Sequence, residues 1–246
     1  MKTSNHLLRR LTAALLAAVL ALSIALPVFA SDDGDTIYIN SVSDLLSLAR
    51  SCAYDQWSVG KTVILQKDLS LEGMLWEPIP SFSGQFKGNG HTISDLTITG
   101  QYSPAGLFGI VEEQGSIESL SVRGVVSVSD SADTTTGGIV GINHGTLISC
   151  QFTGVVTGDS EVGGIVGRNE SEGTIDHGTA RTIVTGKSST GGIAGYNLGA
   201  ITGCTNVGSI NTEYPEASLD TDGFTAKMVD YINNKICLLY TSPSPR

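Results

Sequence analysis

Short runs of β-branched and apolar residues alternate with glycine-containing corners along most of the chain. Typical runs are Ile139-Val140, Leu147-Ile148 and Val155-Val156, each bounded by glycine or asparagine. Turn signals interrupt these runs too often for helices, and their content of Val, Ile and Thr favours strands. The pattern therefore predicts an all-β fold built from many short strands.

The corners recur at a regular spacing. Gly106, Gly138, Gly164 and Gly192 occupy equivalent positions in four similar segments, three of which begin GGIVGINHG, GGIVGRNES and GGIAGYNLG. The intervals of 32, 26 and 28 residues suit one coil of a solenoid, in which strands of successive coils pair about 4.8 Å apart. The repeat predicts a parallel β-helix with three strands in each coil, and about four or five coils in residues 82–211.

Two kinds of repeat residue are predicted to shape the coils. We expect Gly141, Gly167 and Gly195 to supply positive φ angles at corners. The asparagines two residues later are expected to form a ladder of amides along the axis, and a ligand role for them is the alternative. The predicted structural positions are Gly106, Gly109, Gly138, Gly141, Asn143, Gly164, Gly167, Asn169, Gly192, Gly195 and Asn197.

Residues 31–81 are predicted to cap the first coil, because an uncovered end would pair with other strands. Ser41 followed by Asp44 is a capping-box pattern, and the apolar residues after it have helical spacing. These features predict a helix at about residues 42–52. The run of residues 62–65 is predicted to be a strand.

The two ends of the chain differ from the repeat. Residues 1–30 combine a basic start, an apolar run and a final small residue, which predicts a secretory signal peptide cleaved after Ala30; an uncleaved anchor helix is the alternative. Residues 212–236 are interpreted as a short helix or the start of another module. Residues 237–246, CLLYTSPSPR, resemble translated sequencing adapter, so we interpret them as read-through that truncates a longer protein.

The order of these motifs resembles that of bacterial surface proteins with GLUG-motif repeats. The resemblance covers residues 37–211 and rests on the capped helix, the strand, WEPIP, FSGQFKGNGHTI and the GLFG or GIVGxN units. It implies a right-handed parallel β-helix in an exported protein of gut or mucosal bacteria. Related regions occur in adhesin-like proteins and ahead of the catalytic part of some immunoglobulin A-specific metallopeptidases.

Charge and cysteine content narrow the function classes. The chain has 14 Lys and Arg against 24 Asp and Glu, a formal net charge of −10, and three of the basic residues lie in residues 1–30. Nucleic acid and anionic membranes are therefore poor partners. Cys150 and Cys204 align two coils apart, about 9.6 Å, which exceeds the reach of a disulfide. We expect them to be buried thiols, and the pairing of Cys52 stays open.

No catalytic signature stands out in the sequence. The residues Arg168, Asp176, Arg181 and Lys187 could share one face, but they match no hydrolase pattern. Zinc-peptidase, nucleophile-elbow and P-loop motifs are not found. We predict neither enzymatic activity nor a cofactor or metal. The aromatic residues are expected to seal the core near the cap, with stacking on sugars as the alternative; they are Trp57, Trp76, Phe82, Phe86, Tyr102 and Phe108.

Together these features predict a secreted or cell-surface β-solenoid that serves as an adhesion or display module of a larger protein. Its expected partner is a host or environmental glycan, a protein or a cell-wall component, with no nucleic acid and no membrane beyond the signal peptide. The alternative is the non-catalytic N-terminal region of a secreted metallopeptidase or polysaccharide-degrading enzyme. Plain structural spacing is a third interpretation.

Overall fold

The structure is a computed structural model that describes residues 35–54, 56–128 and 134–211. The predicted signal peptide, the predicted module of residues 212–236 and the interpreted read-through lie outside the described residues. All the described residues belong to the unit that begins at Asp35.

The described chain consists of short strands and one helix, in an order that repeats. An N-terminal region is followed by five coils, the first two with three strands each. The N-terminal region contains β1 (Thr36–Ile39), α1 (Val42–Ser51), β2 (Thr62–Leu65) and β3 (Leu69–Ser70). Coil 1 contains β4 (Ile79–Phe82), β5 (Gln85–Lys87) and β6 (Thr92–Gly100), and coil 2 contains β7 (Phe108–Val111), β8 (Ser116–Glu118) and β9 (Ser121–Val128).

The remaining three coils each begin with an additional short strand. Coil 3 contains β10 (Thr135–Gly137), β11 (Val140–Asn143), β12 (Thr146–Ile148) and β13 (Gln151–Thr157). Coil 4 contains β14 (Glu161–Gly163), β15 (Val166–Asn169), β16 (Thr174–Asp176) and β17 (Thr179–Thr185). Coil 5 contains β18 (Thr190–Gly191), β19 (Ala194–Asn197), β20 (Ala200–Thr202), β21 (Thr205–Asn206) and β22 (Ser209–Ile210).

Equivalent strands of successive coils pair in parallel and form the walls of a solenoid. Sheet A is β1-β2-β5-β8-β12-β16-β20, and sheet B is β3-β6-β9-β13-β17-β21, with β22 also paired to β17. Sheet C is β4-β7-β11-β15-β19, and sheet D is β10-β14-β18. The predicted all-β parallel solenoid is confirmed. Because β1, β2 and β3 already belong to sheets A and B, the stacking begins within the segment assigned to the cap.

The core is a set of columns in which each coil places an apolar residue at the same register position. In sheet A, Phe86, Ile117, Leu147 and Ile175 are neighbours in register and are fully buried. The same column reaches Ile201 in coil 5, whose exposed fraction is 38%. An apolar side chain is therefore covered by the coils on both of its sides, which is why the burial that stabilises the fold grows with each added coil.

The helix α1 begins with a reciprocal capping box. The Ser41 Oγ accepts a hydrogen bond from the amide of Asp44 at 3.2 Å, and the Asp44 carboxylate accepts one from the amide of Asn40 at 2.9 Å. Leu45 and Leu48 are buried on the face that packs against β1 and β4. The predicted cap helix is present, and it covers the N-terminal side of the core.

Sheet D was not predicted, because only three strands were expected in each coil. Its strands end in glycine at Gly137, Gly163 and Gly191. A Cβ at Gly137 would lie 2.6 Å from the amide nitrogen of Gly167, so the strand can approach sheet C only without a side chain there. The additional strand therefore depends on a close backbone contact between neighbouring coils, which periodicity alone does not reveal.

Candidate contact surface

The asparagines of the repeat form a hydrogen-bonded ladder along the solenoid axis. Asn143, Asn169 and Asn197 pair in register on β11, β15 and β19. The Nδ2 of Asn143 donates to the Oδ1 of Asn169 at 2.8 Å, and Asn169 donates to Asn197 at 2.8 Å. Each Nδ2 also donates to a carbonyl oxygen of its own coil, at Gly145, Gly173 or Gly199. The amides are thus occupied by coil-to-coil bonds, which is a structural role.

The repeat glycines act through close approach and not through positive φ. The glycines with left-handed backbone angles lie elsewhere, for example Gly90 at φ +78° in the GNG corner. The prediction of positive φ at Gly141, Gly167 and Gly195 is therefore wrong. A Cβ at Gly141 would lie 2.5 Å from the Cβ of Pro104, so the space beside these strands is already filled by the backbone and side chains of the adjacent segment.

The repeat glycines that lie three residues before these positions are equally crowded. A Cβ at Gly106 would lie 2.9 Å from the carbonyl oxygen of Ile139 in the next coil, and one at Gly138 would overlap the ring of Phe152. One at Gly164 would overlap the backbone of Gly192. Glycine at these positions lets the backbone pack closely against the next coil and against the core, and none of these residues presents a side chain to a ligand.

A left-handed corner between sheets A and B repeats in four coils and was not predicted. Ser119, Ser149, His177 and Gly203 are equivalent in register and have φ values of 51°, 52°, 53° and 62°. In each of the first three, the backbone amide donates to a carbonyl oxygen of the next coil at 2.8 to 2.9 Å. The four residues share no common sequence signal for this corner, because serine is not typical of left-handed positions, and histidine and glycine, which adopt them more readily, each occur in only one coil.

The cysteines are free thiols and two of them are buried. Strand register places Cys150 and Cys204 two coils apart with Gly178 between them, and all three cysteines of the described residues are unpaired. Burial raises the pKa of the Cys150 thiol to about 12 and that of Cys52 to about 11. High pKa values keep these thiols protonated and chemically inert near neutral pH.

The charged residues proposed from sequence as a shared face are distributed over different sheets. Arg168 lies on β15 of sheet C, Asp176 on β16 of sheet A and Arg181 on β17 of sheet B. Lys187 follows β17 and pairs with Asp159 at 2.7 Å. The structure therefore does not bring these four residues together, because one coil carries consecutive strands around three sides.

Arg168 is held by a local network that explains its position. Its guanidinium lies 3.2 Å from the Glu161 carboxylate and 2.7 Å from that of Glu170, and it lies over the Tyr196 ring at 5.1 Å from the centroid. These contacts join β14, β15 and β19 across neighbouring coils. The contacts of Arg168 therefore connect structural elements, and two carboxylates balance its charge.

Reactive groups are not assembled in the part of the chain that the structure describes. Within residues 35–54, 56–128 and 134–211, no three His, Cys, Asp or Glu side chains lie close enough to hold a metal ion. In the same ranges, no helix combines the length and the apolar character needed to span a bilayer. The absence of enzymatic activity stays a prediction for this chain.

Most of the aromatic residues near the cap are inside the core. Phe82, Phe86 and Phe108 are fully buried, with ring centroids 5.4 to 6.3 Å apart in tilted and edge-to-face contacts. Trp76 is buried and donates from Nε1 to the carbonyl oxygen of Leu107 at 3.1 Å. Trp57 and Tyr102 are partly buried against the same core. The aromatic cluster thus seals the core, and these four buried rings are not available to stack on sugars.

The outward residues of the sheets also form columns, and these are the surfaces that a partner can reach. Along sheet B, the outward column contains Arg123, Thr153 and Arg181 in strict register on β9, β13 and β17. Neighbouring residues on the same strands, such as Phe152 and Ala180, face the core. The solenoid therefore presents exposed side chains at regular intervals along its axis.

Comparison with known proteins finds similarity in sequence to parts of two longer proteins and similarity in structure to a solved protein. A halomucin of Haloquadratum walsbyi is 30% identical over 155 residues, covering 58% of this chain and 2% of that protein. A protein of Evansella cellulosilytica assigned as a Gly-rich membrane protein is 29% identical over 137 residues, covering 40% of this chain and 16% of that protein. The chain thus matches only a small part of either relative. No protein family model matches it.

A similar solved structure is a crystal structure from Bacteroides ovatus assigned as an immunoglobulin A1 protease. It is 15% identical to this chain, with a TM-score of 0.43, and the match covers 76% of this chain and 80% of the other.

Proposed function

We propose that the chain is the contact module of a longer exported protein and uses the outer walls of its solenoid to bind a glycan or protein at the cell surface. The observation that carries the proposal is the register of the outward side chains. Sheets A, B and C each pair strands from all five coils, so that exposed residues form long columns instead of an isolated site. Such extended surfaces are the usual binding feature of solenoid proteins.

Three further observations support an extracellular location. The basic, apolar and small-residue order of residues 1–30 is that of a secretory signal. The names of the two sequence relatives, a halomucin and a Gly-rich membrane protein, fit a protein at or outside the cell surface. The motif order of GLUG-repeat proteins agrees with the same location. An adhesion or display role is the function that these features support best.

The acidic character of the chain sets the class of partner. The chain has a formal net charge of −10 and repels other polyanions, so a partner must bind at a local surface where the acidic residues are absent or paired. A glycan or a protein can dock on one such wall, because salt at physiological strength screens the acidic residues that lie more than about 8 Å away from it. Nucleic acid, with a charge at every phosphate, cannot.

The proposal is tested by binding of the purified, fluorescently labelled chain to a glycan array and to intact bacterial and epithelial cells. We expect saturable binding to a defined subset of glycans or to one cell type. A suitable control is Gly167→Val, whose side chain would collide with the backbone of Thr136 and disrupt the coils. Binding that the control retains is non-specific. A folded wild-type chain that binds neither glycans nor cells would contradict a contact role and favour plain spacing.

A further inference from the structure

One wall of this acidic protein carries no acidic residue over three consecutive coils. The strands β9, β13 and β17 have the sequences SVRGVVSV, QFTGVVT and TARTIVT, without Asp or Glu, whereas the chain has 24 of these residues. The outward columns of these strands contain arginine, hydroxyl and aliphatic side chains instead. We name the outward residues of these strands the arginine face; its members used below are Arg123, Ser127, Thr153, Thr157, Arg181 and Thr185.

The two arginines of the arginine face have a defined separation. Thr153 is the register partner of Arg123 on one side and of Arg181 on the other, so the three residues form a column along the axis. Two strand spacings separate the arginine positions by about 9.6 Å. Both arginine side chains are exposed, and Thr153 between them is half-buried. The column thus offers two guanidinium groups with a short hydroxyl between them.

A column of hydroxyl groups runs parallel to the arginines, beyond an outward aliphatic column of Val125, Val155 and Ile183. Ser127, Thr157 and Thr185 are register partners on the same three strands, four residues after the arginine column. Hydroxyl groups both donate and accept hydrogen bonds, which suits the hydroxyl groups of sugars. The arginine face therefore combines charged and neutral polar groups in two parallel rows along the solenoid, with an aliphatic row between them.

Acidic residues bound the arginine face on the side of the N-terminal region. Asp68 accepts a hydrogen bond from the amide of Thr92 at 2.9 Å and contacts the His91 ring at 3.1 Å. The Thr92 hydrogen bond is the main reason that the pKa of Asp68 lies below its ordinary value, followed by His91, and the charge of Arg123 adds to the effect. Asp68 thus offsets part of the charge of Arg123, so Arg181 is the stronger attraction for an anion.

We propose that the arginine face binds an extended polysaccharide that carries one carboxylate on every second sugar and lies along the solenoid axis. This inference rests on the proposed contact function and names its partner. Arginine binds carboxylates with two parallel hydrogen bonds, which gives it geometric selectivity. Two sugars of an extended pyranose chain advance by a distance comparable to the two-coil spacing of Arg123 and Arg181. Alternate carboxylates would therefore meet successive arginines while the intervening neutral sugar lies over Thr153.

The spacing argument predicts selectivity among anionic polysaccharides. A polymer with a carboxylate on every sugar would place one over Thr153, where no cation faces it, and its higher charge would be repelled by the acidic protein. A neutral polymer would lose both ion pairs. The expected order of affinity is therefore alternate carboxylate first, then carboxylate on every sugar, then neutral.

The test measures binding of the full purified chain by calorimetry to hyaluronate, which has a carboxylate on every second sugar, to polygalacturonate and to dextran. We expect hyaluronate to bind best at low salt and to weaken as salt rises from about 50 to about 500 mM. Arg181→Gln should weaken hyaluronate binding about two- to fivefold, the size of one exposed ion pair, and Arg123→Gln less because of Asp68. Both side chains are exposed, so the variants should keep the wild-type circular dichroism spectrum and thermal midpoint.

The matched control is Arg50→Gln, which removes the same charge from the exposed side of α1, away from the arginine face. It should leave hyaluronate binding unchanged. A double variant combines Arg123→Gln and Arg181→Gln. The inference is overturned if the wild type does not bind hyaluronate, if the double variant binds it as the wild type does, or if polygalacturonate binds the wild type equally well. If the double variant still binds the cells or array glycans that the wild type binds, the contact function is retained and only the proposed role of the arginine face is rejected. If the wild type binds no cell and no glycan, the contact function falls too.

Discussion

The side-chain amide of Asn143 donates a hydrogen bond to Asn169 across one coil, at 2.8 Å, and both residues are fully buried. In the same inward column, the first two coils have Phe82 and Val111 in place of asparagine. The column therefore changes from apolar to amide at coil 3. A buried amide is tolerated there because the neighbouring coil supplies a partner at the same register position.

Removal of the central amide is expected to destabilise the solenoid. Asn169→Ala leaves a buried N–H of Asn143 and the carbonyl oxygen of Gly173 without their partner, which should lower the free energy of unfolding by about 2–3 kcal/mol. Urea unfolding followed by circular dichroism measures this change. Asn197→Ala is the matched control, since Asn197 is exposed at the end of the ladder and should cost about 1 kcal/mol or less. Equal losses in the two variants would contradict a ladder that depends on burial.

A methyl group at a crowded repeat glycine is expected to be costly. In Gly167→Ala the new Cβ would lie 2.6 Å from the amide nitrogen of Thr136 and 2.8 Å from the carbonyl oxygen of Gly141. Relief requires a backbone shift, so we expect a loss of about 1–3 kcal/mol in the free energy of unfolding.

The control for this substitution is Gly90→Asn. Gly90 has φ +78° and no atom within 4 Å of a built Cβ, and asparagine tolerates this backbone region. Its unfolding free energy should change by less than about 0.5 kcal/mol. A larger loss at Gly90 than at Gly167 would show that backbone angle, and not close approach, is what the repeat glycines provide.

The buried thiols are expected to be unreactive until the protein unfolds. Because burial raises the pKa of Cys150 to about 12 and that of Cys52 to about 11, the reactive thiolate is scarce in the native state at neutral pH. In a Cys237→Ser variant, Ellman's reagent should react fully with these two cysteines only after guanidinium is added. The half-buried Cys204 should react before them. Fewer than three thiols after unfolding would reveal a disulfide and contradict the free-thiol assignment.

The capping box of α1 is expected to make stability depend on acidic pH. The pKa of Asp44 is lowered first by the hydrogen bond from the Asn40 amide and then by the Ser41 hydroxyl. Its contribution is therefore fully present above the ordinary value of 3.8 and is lost as pH falls through the lower folded value.

Urea unfolding of Asp44→Asn at about pH 7 and at about pH 2 measures this effect. We expect the variant to have a lower midpoint than the wild type at neutral pH and nearly the same midpoint in acid. Ser41→Ala removes a cap that bonds the Asp44 amide and also stabilises its carboxylate, so its loss, about 0.5–2 kcal/mol at neutral pH, should become smaller in acid without disappearing. A difference between wild type and Asp44→Asn that is the same at both pH values would contradict the carboxylate as the source.

Much of the fold could be predicted because the repeat is visible in single residues. The glycine intervals of 32, 26 and 28 residues are the offsets at which the strands pair, as in Val140 with Phe108, Val166 with Val140 and Ala194 with Val166. The capping box at Ser41 likewise lies within four residues of its partner. Such signals are local or periodic, so no knowledge of three-dimensional neighbours is needed to detect them.

Other features depend on contacts that no periodic signal encodes. The strand register pairs the position of Gly145 with Gly173 and not with the next glycine, Gly178. The turn before β16 is longer in coil 4 than the equivalent turn in coil 3, and only backbone pairing shows where the additional residues lie. The left-handed corner at Ser119 was missed for a related reason, since its conformation is imposed by the neighbouring coil.

The sequence alone determined that the chain winds into stacked parallel coils with a helical cap, because stacking needs only a periodic arrangement of small, β-branched and corner residues. The tertiary structure decided which side each charge faces. It separated Arg168 from Arg181 and aligned Arg181 with Arg123, since one coil turns through several walls while equivalent strands stay in register. A surface on a solenoid is made from residues of different coils, and their distance in sequence says little about their distance in space until the register is known.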